Sequence, residues 1–457
     1  MSERSLQAVC RNIALSRRQL LGGSVAAGGA LLFGASSADA EGRSRRSRPG
    51  RHTKVAAGSP RHIRLHRFAG SGCWASGTRD GVTVGSAGLR IGTPTGTIEY
   101  ADPVPAGSPK RTYDVASWVS PMQRSGFALT ELIASWNVDT PNGTWVQIDV
   151  RGRAENGTQT GWFVLGRWCR NDPDQGGAIR RTSVDGQGTD YATVWTDTLH
   201  LLNNHTLTEF QLRVQLMRAQ GSSVTPTVRS LSAMVSALPD DATVPVSEFT
   251  LGRERILDVP TYSQEVHAGH YPQWSGGGEA WCSPTSSSMV LASFGLGPSK
   301  SDLSWVQPPV DGQVDYAARN TFDYTYDGCG NWPFNTAYTG SYGLSTFVTR
   351  LRSLTEAEAF IAAGIPVITA VSFDESELDG AGYSTAGHLM VLVGFAANGD
   401  PVMNDPASHL KPDDAQVRVT YKRAQFENAW LPSSGGTVYI NHPASVRLPK
   451  APWEANW

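Results

Sequence analysis

The sequence has little excess of charge of either sign. Its 39 lysines and arginines face 41 aspartates and glutamates, a formal net charge of −2 over 457 residues. Whole-chain electrostatics therefore give no reason to expect a nucleic-acid partner or a strongly acidic surface. Long apolar runs are also lacking. Apart from a weakly apolar Gly/Ala-rich stretch near the N-terminus, nothing approaches the roughly 18 apolar residues that span a bilayer, so no stable membrane span is expected. No Gly-x-x-x-x-Gly-Lys-Ser/Thr occurs, which leaves no P-loop nucleotide site. Cysteine is scarce, at five, and only 18% of residues are charged. What is present is glycine, at 48, and tryptophan, at 14. That balance suits a β-rich extracellular protein with many turns. The length exceeds one ordinary core and predicts two domains.

The first 40 residues read as a targeting segment. Ser16-Arg17-Arg18-Gln19-Leu20-Leu21 carries twin arginines, the Gly/Ala-rich run Leu20 to Ala35 follows, and Ala38-Asp39-Ala40 is a small-x-small cleavage site. This pattern resembles a twin-arginine (Tat) export signal. It implies a bacterial protein exported to an extracellular or cell-wall location. Residues 41–60 are rich in Arg, Ser and Gly and are expected as a disordered basic linker. A tether to anionic wall polymers or lipid headgroups is the sharper alternative. Export would leave Cys73, Cys169, Cys282 and Cys329 in a disulfide-permissive compartment, with three full pairings open. A bond between Cys282 and Cys329 is one alternative, and Cys73 could pair with Cys169.

Residues 61–238 read as strands. Leu132–Val138, Thr144–Val150, Trp162–Trp168 and Phe210–Leu216 are the clearest, separated by turn formers such as Asp139-Thr140-Pro141-Asn142-Gly143. No convincing helix is seen, and a β-sandwich is expected. Residues 239–250 form a polar, proline-punctuated linker. In residues 251–445 helices and strands mix. The sequence predicts helices over Pro284–Phe294, Leu354–Gly364 and near Arg423–Trp430. It predicts strands over Pro366–Phe373, Gly387–Phe395, Pro401–Asn404, Gln416–Thr420 and Thr437–Asn441. The expected fold class is multidomain: an N-terminal all-β sandwich followed by an α+β domain. Residues 446–457 are a C-terminal tail.

Acyl transfer by a thiol needs a nucleophile, a base, a group that orients the base, and donors for the oxyanion. Candidates follow in the order Gln264, Cys282, His388, Asp405. Cys282 precedes Pro284, so it stands at a helix start, where unpaired backbone N–H groups favour a thiolate. His388 follows a small-residue loop at the start of one hairpin strand. Asp405 ends the other, and the hairpin register is expected to bring it to the imidazole. Asn404 is the alternative orienter.

Those residues carry a resemblance. Val259-Pro260-Thr261-Tyr262-Ser263-Gln264, Cys282-Ser283-Pro284-Thr285-Ser286, Met289-Val290-Leu291, Gly387-His388 and Asp405-Pro406 are similar to the corresponding motifs of the papain-like cysteine peptidases that process bacteriocin leaders after a double glycine, and of their secreted relatives. The resemblance covers about Ile256 to Ile440. It implies a papain-like fold, with Cys282 as nucleophile, His388 as base, Asp405 as orienter and Gln264 as oxyanion donor. Ser283 departs from the family's glycine. With no transporter attached, a free-standing secreted hydrolase acting on a peptide or protein is implied. Trp281, Ser283, Trp274 and Gly387 are the candidate substrate-binding residues.

Three rival patterns are present. His267-Ala268-Gly269-His270 lacks the i, i+4 helical spacing of a metalloprotease motif, so no metal or other cofactor is expected. Those histidines are instead placed along the cleft with Trp274 and Trp281, and Gly276-Gly277-Gly278 is read as a mobile loop. The segment Trp305–Tyr342 is read as a long surface excursion over the cleft or an inert insertion. Trp136, Trp145, Trp162, Trp168 and Trp195 are candidates for stacking on a cell-wall glycan, although strand aromatics are more often core. Two functional alternatives stand beside the peptidase. One is a catalytically inactive cell-surface protein binding glycan or peptide; the other is an acyl transferase using the same thioester.

Overall fold

The computed structural model describes residues 51–457. The expected targeting segment and the expected linker up to residue 50 lie outside the described residues. The protein is multidomain and strand-rich, with three seven-stranded sheets among the described residues. The first sheet runs β11 (Ala192–Trp195), β12 (Thr198–Leu201), β8 (Glu131–Asp139), β14 (Thr227–Ala237), β4 (Gly88–Ile91), β3 (Val82–Gly85), with β1 (His62–Ala69) also on β14. The second runs β10 (Phe163–Trp168), β9 (Thr144–Arg153), β13 (Leu207–Ala219), β6 (Arg111–Val119), β2 (Thr78–Asp80). There β5 (Gly96–Tyr100) pairs with β6, and β7 (Gln123–Leu129) with β13.

The alternation in these strands explains the layering. Val146, Ile148 and Val150 of β9 point inward with Leu212, Val214 and Leu216 of β13, and meet Leu132, Ala134 and Trp136 of β8 in one core. One six-residue helix, α1 (Ser71–Ser76), was not expected. Its buried Trp74 packs edge-on against Trp118.

The third sheet follows the order β16 (Ser345–Arg350), β21 (Thr437–His442), β17 (Val367–Phe373), β18 (Thr385–Phe395), β19 (Pro401–Asn404), β20 (Arg418–Thr420), with β15 (Arg255–Ile256) on β18. Its helices are α2 (Cys282–Ser293), α3 (Gly312–Thr321), α4 (Trp332–Gly340), α5 (Leu354–Ala362) and α6 (Arg423–Ser434). The expected helices and hairpin fall within two to four residues of these bounds. No helix among the described residues is long and apolar enough to cross a membrane.

The segment Trp305–Tyr342 is not a surface excursion. All nine residues of α4 are buried. Asn331 caps the helix by accepting the Phe334 N–H, and Pro333 suits its first turn. Phe334 packs on Trp136 and Trp168 of the sandwich, so the two halves share one core. Asn137 of β8 bonds both backbone groups of Thr346 in β16, and Arg350 pairs with Glu131.

The tail is built in as well. The Leu65 N–H donates to the Ala455 carbonyl at 2.9 Å, and the buried Asn456 side chain donates to the Arg350 carbonyl at 2.7 Å. At the other end, residues 51–55 run along the first sheet. The Thr53 N–H donates to the Leu201 carbonyl, and His52 lies against Trp195 with ring centroids 3.8 Å apart.

These contacts decide the fate of the tryptophans. Trp136, Trp145 and Trp168 are completely buried and have no face for a sugar. Arg151 and Arg213 lie over Trp162, and His52 and His200 cover Trp195.

Candidate active site

Cys282 is the first residue of α2 and is partly exposed, whereas Ser283 to Leu291 are buried. The first helical bond runs from the Thr285 N–H to the Trp281 carbonyl at 2.9 Å. The earlier N–H groups of the turn therefore have no partner inside the helix, and they face the end that bears the thiol. The Ser286 hydroxyl donates to the Leu389 carbonyl at 3.1 Å, fixing α2 on β18 one residue beyond His388.

His388 is the fourth residue of β18, not its first, and its side chain is buried. Its Nε2 donates to Asp405 Oδ1 at 2.8 Å. That leaves Nδ1 free of Asp405, and Cys282 is near enough to the ring to act on its charge. Burial opposes protonation of His388, but the Asp405 carboxylate and Cys282 outweigh it and raise its pKa to about 10.

Asp405 stands immediately after β19 and is fully buried. Besides His388 it accepts the Tyr383 hydroxyl at 3.0 and 2.9 Å, the Tyr421 hydroxyl at 2.7 Å and the Ala407 N–H at 3.0 Å. Burial pushes its pKa up, but His388 and these donors prevail and hold it below the usual carboxylate range. Tyr383 and Tyr421 are pushed above the usual tyrosine range, first by burial and then by Asp405, so they remain donors. Sequence reasoning passed over both tyrosines. Tyr383 opens the loop that leads to His388, while Tyr421 precedes α6 without any local signal. Asn404 does not serve His388. Its amide nitrogen bonds the Val259 and Pro260 carbonyls, and its oxygen accepts from Arg418.

Gln264 begins a buried 3-10 turn, and its N–H donates to the Pro406 carbonyl at 2.9 Å, next to Asp405. Its side-chain amide nitrogen donates to the Glu279 carbonyl at 2.7 Å and to Glu265 Oε1 at 3.2 Å. Both amide hydrogens are engaged, while Oε1 has no partner. Glu265 is nearly buried. Burial, opposed by the bond from Gln264 and reinforced by Glu279, pushes its pKa up to about 7.

The four residues expected to meet substrate divide. Gly387 is exposed beside His388. Trp281 is fully buried, its indole N–H donating to the Trp274 carbonyl at 2.7 Å, so it supports the site from beneath. Trp274 is 7% exposed and packs among Tyr271, Trp305 and Arg319. Ser283 is also excluded from substrate. Its hydroxyl lies 3.0 Å from that of Tyr439, on the sheet side of α2.

His267 does not line an open cleft. It is fully buried, lies near Trp281, and meets His270 and Asp315 of α3. Gly278 permits that packing, because a Cβ there would stand 2.2 Å from the His267 carbonyl carbon. Cys73, Cys169, Cys282 and Cys329 are all free thiols. Burial raises Cys329 well above the usual thiol range.

Residues 64–236 match the model of the Peptidase C39 N-terminal domain, and residues 256–438 match that of the Peptidase C39 like family. The first match extends the relationship to the sandwich, which the motifs had not reached. Among solved structures, a C39-like peptidase from Bacillus anthracis is 21% identical over 43% of this chain and 100% of its own, with a TM-score of 0.28. The infectious bursal disease virus Gt strain structure is 11% identical over 44% of this chain and 37% of its own, with a TM-score of 0.16. A carbohydrate-binding module of the β-sandwich superfamily is 11% identical over 40% of this chain and 62% of its own, with a TM-score of 0.14. No curated protein matches the chain. The two family models together take in both halves of the described chain, and each half is similar to a domain of the C39 peptidases.

Proposed function

We propose that the chain is an exported cysteine peptidase or amide hydrolase with a papain-like catalytic domain. The observation that carries the reading is a buried His388–Asp405 pair, bonded at 2.8 Å, beside a partly exposed cysteine that opens a helix. The Cys282 thiolate attacks the substrate carbonyl carbon, and a C–S bond forms as the carbonyl electrons move to oxygen. The resulting oxyanion meets the N–H groups of the first turn of α2. It gains a second donor if Gln264 exchanges its Glu265 or Glu279 acceptor for the oxyanion. The tetrahedral adduct collapses to a thioester as His388 gives its proton to the leaving amine. His388 then takes a proton from water, the water oxygen displaces the thiolate, and the acid product leaves. Asp405 orients the imidazole through both steps and stays ionised throughout. Export rests on the twin arginines Arg17 and Arg18 and on Ala38-Asp39-Ala40.

The test combines an activity-based thiol probe with peptide-library turnover on the full exported chain. Cys282→Ala is expected to lose labelling and acyl-enzyme formation, with turnover down by roughly 10⁴-fold or more and thermal unfolding unchanged. Normal turnover by that variant would overturn the reading.

A further inference from the structure

A second buried cluster lies on the far side of Gln264's turn. His267 and Asp315 are fully buried, and the His270 side chain is 14% exposed. One nitrogen from each histidine and one Asp315 oxygen lie within 4.8 Å of one another. Among the described residues, the ion-pair partners of Asp315 are these two histidines and no lysine or arginine.

The geometry separates the two contacts. His270 Nδ1 and Asp315 Oδ1, 3.1 Å apart, make a well-formed hydrogen bond. His267 Nδ1 and Asp315 Oδ2 are as close, at 3.0 Å, yet neither atom has a hydrogen-bond partner, because the ring nitrogen is not aimed at the oxygen. His267 Nε2 is unpartnered as well. A buried polar group left this way is costly. Two atoms that coordinate one metal ion have this relation. Each points at the ion rather than at the other, and with arms of 2.0–2.1 Å in tetrahedral geometry they stand about 3.3 Å apart.

We propose that His267, His270 and Asp315 bind a divalent metal ion of the zinc class, which clamps the Gln264–His270 segment to α3. Two imidazoles and a carboxylate suit zinc rather than magnesium or calcium, which prefer all-oxygen shells. The fourth position is left to water on the His270 side, the one edge of the cluster with solvent exposure. The clamp would hold the turn that begins with Gln264. Nothing in it depends on the chemistry of Cys282.

The experiment uses the full chain carrying Cys282→Ala, so that the thiol beside His388 cannot contribute a ligand. The protein is stripped with a chelator, dialysed against micromolar zinc, and assayed by atomic emission. One zinc per chain is expected, with a rise in Tm on the order of a few degrees at saturating zinc. Cobalt(II) in its place should give the visible absorption of a tetrahedral site. His267→Gln and Asp315→Asn, each added singly, should lose the ion while keeping the circular dichroism of the parent. If either variant fails to fold, the titration of the parent with zinc and cobalt decides alone. Less than about one-tenth of an equivalent bound by the parent overturns the proposal. So does zinc retained undiminished by folded variants, or a Tm indifferent to zinc.

Discussion

Two buried histidine–aspartate constellations lie near the start of α2, and they are built to opposite specifications. At His388 and Asp405 the accounting is complete. The carboxylate receives an imidazole, two phenols and a backbone N–H. At His267, His270 and Asp315 it is not, since three buried polar atoms have no partner. A fully satisfied network can carry charge in a dry place and hold its geometry without help. An unsatisfied one is stable only when something else completes it. The difference fits the proposed roles, the first constellation moving protons and the second holding a ligand.

The largest expected effect breaks the first constellation. Asp405→Asn should lower turnover by roughly 10²–10⁴-fold, because the amide no longer fixes the imidazole tautomer or its charge. The pH profile should move with it. In the parent, His388 contributes stability fully below the ordinary histidine value near 6.5 and loses it as pH rises through about 10. The alkaline limb of acylation should follow the same value. In Asp405→Asn that limb should fall toward neutral pH. A limb that stays near 10 would show that Asp405 does not set it.

The matching change in the second constellation should read out differently. Asp315→Asn should leave the pH profile alone and abolish the stabilisation by zinc, worth about 2.7 kcal/mol at a hundredfold excess over Kd. Calorimetry with and without zinc measures it. Loss of turnover equal to that of Asp405→Asn, with zinc stabilisation intact, would reverse the two assignments.

A smaller effect is expected at Tyr421→Phe, which removes one of the donors to Asp405. Hydrogen bonds to charged groups are worth roughly 1.5–3 kcal/mol. A stability loss of about 2 kcal/mol by urea unfolding and a modest fall in kcat, with KM held, are expected. Tyr383 still spans both oxygens in that variant, which limits the damage.

How much of this could be read from the sequence follows the same division. Cys282, His388 and Asp405 were legible because each sits at a local landmark: a helix start before a proline, and the two arms of one hairpin. The central strands were legible from their alternation. Residues that reach the site from elsewhere were not. Tyr421 and Asp315 arrive on other elements, and no spacing links them to the histidines they serve. The segment around α4 misled for a different reason. Asn335, Thr336 and Thr339 look like surface residues, yet they are buried with their polar groups bonded to the Cys329, Asn331, Pro333 and Asn335 carbonyls and to Asn441. Local polarity cannot reveal that a partner waits across the core. Ser283 is a similar case, since its hydroxyl turned to Tyr439 rather than to the oxyanion side.

The smallest expected effect concerns Glu265, which accepts a hydrogen bond from the Gln264 amide. Its pKa is raised by burial to about 7, above the ordinary value for a glutamate. The folded state therefore holds that proton more tightly than the unfolded chain does. Stability should fall as pH rises from about 4.5 to about 7 and level off above it. Glu265→Gln cannot ionise and should remove that decline. The variant should match the parent near pH 4 and exceed it by about 1–2 kcal/mol near pH 8, a difference readable from unfolding midpoints across pH. The same change bears on the oxyanion. In the parent, an ionised Glu265 is a strong acceptor for the Gln264 amide, competing with a substrate oxyanion for its hydrogen. Replacing the charge with a neutral amide weakens that hold, so acylation near pH 8 should rise a few-fold in Glu265→Gln and stay level near pH 5. If acylation is unchanged at both values while the stability slope disappears, Gln264 remains on its resting acceptors during the reaction, and the first turn of α2 stabilises the oxyanion without it.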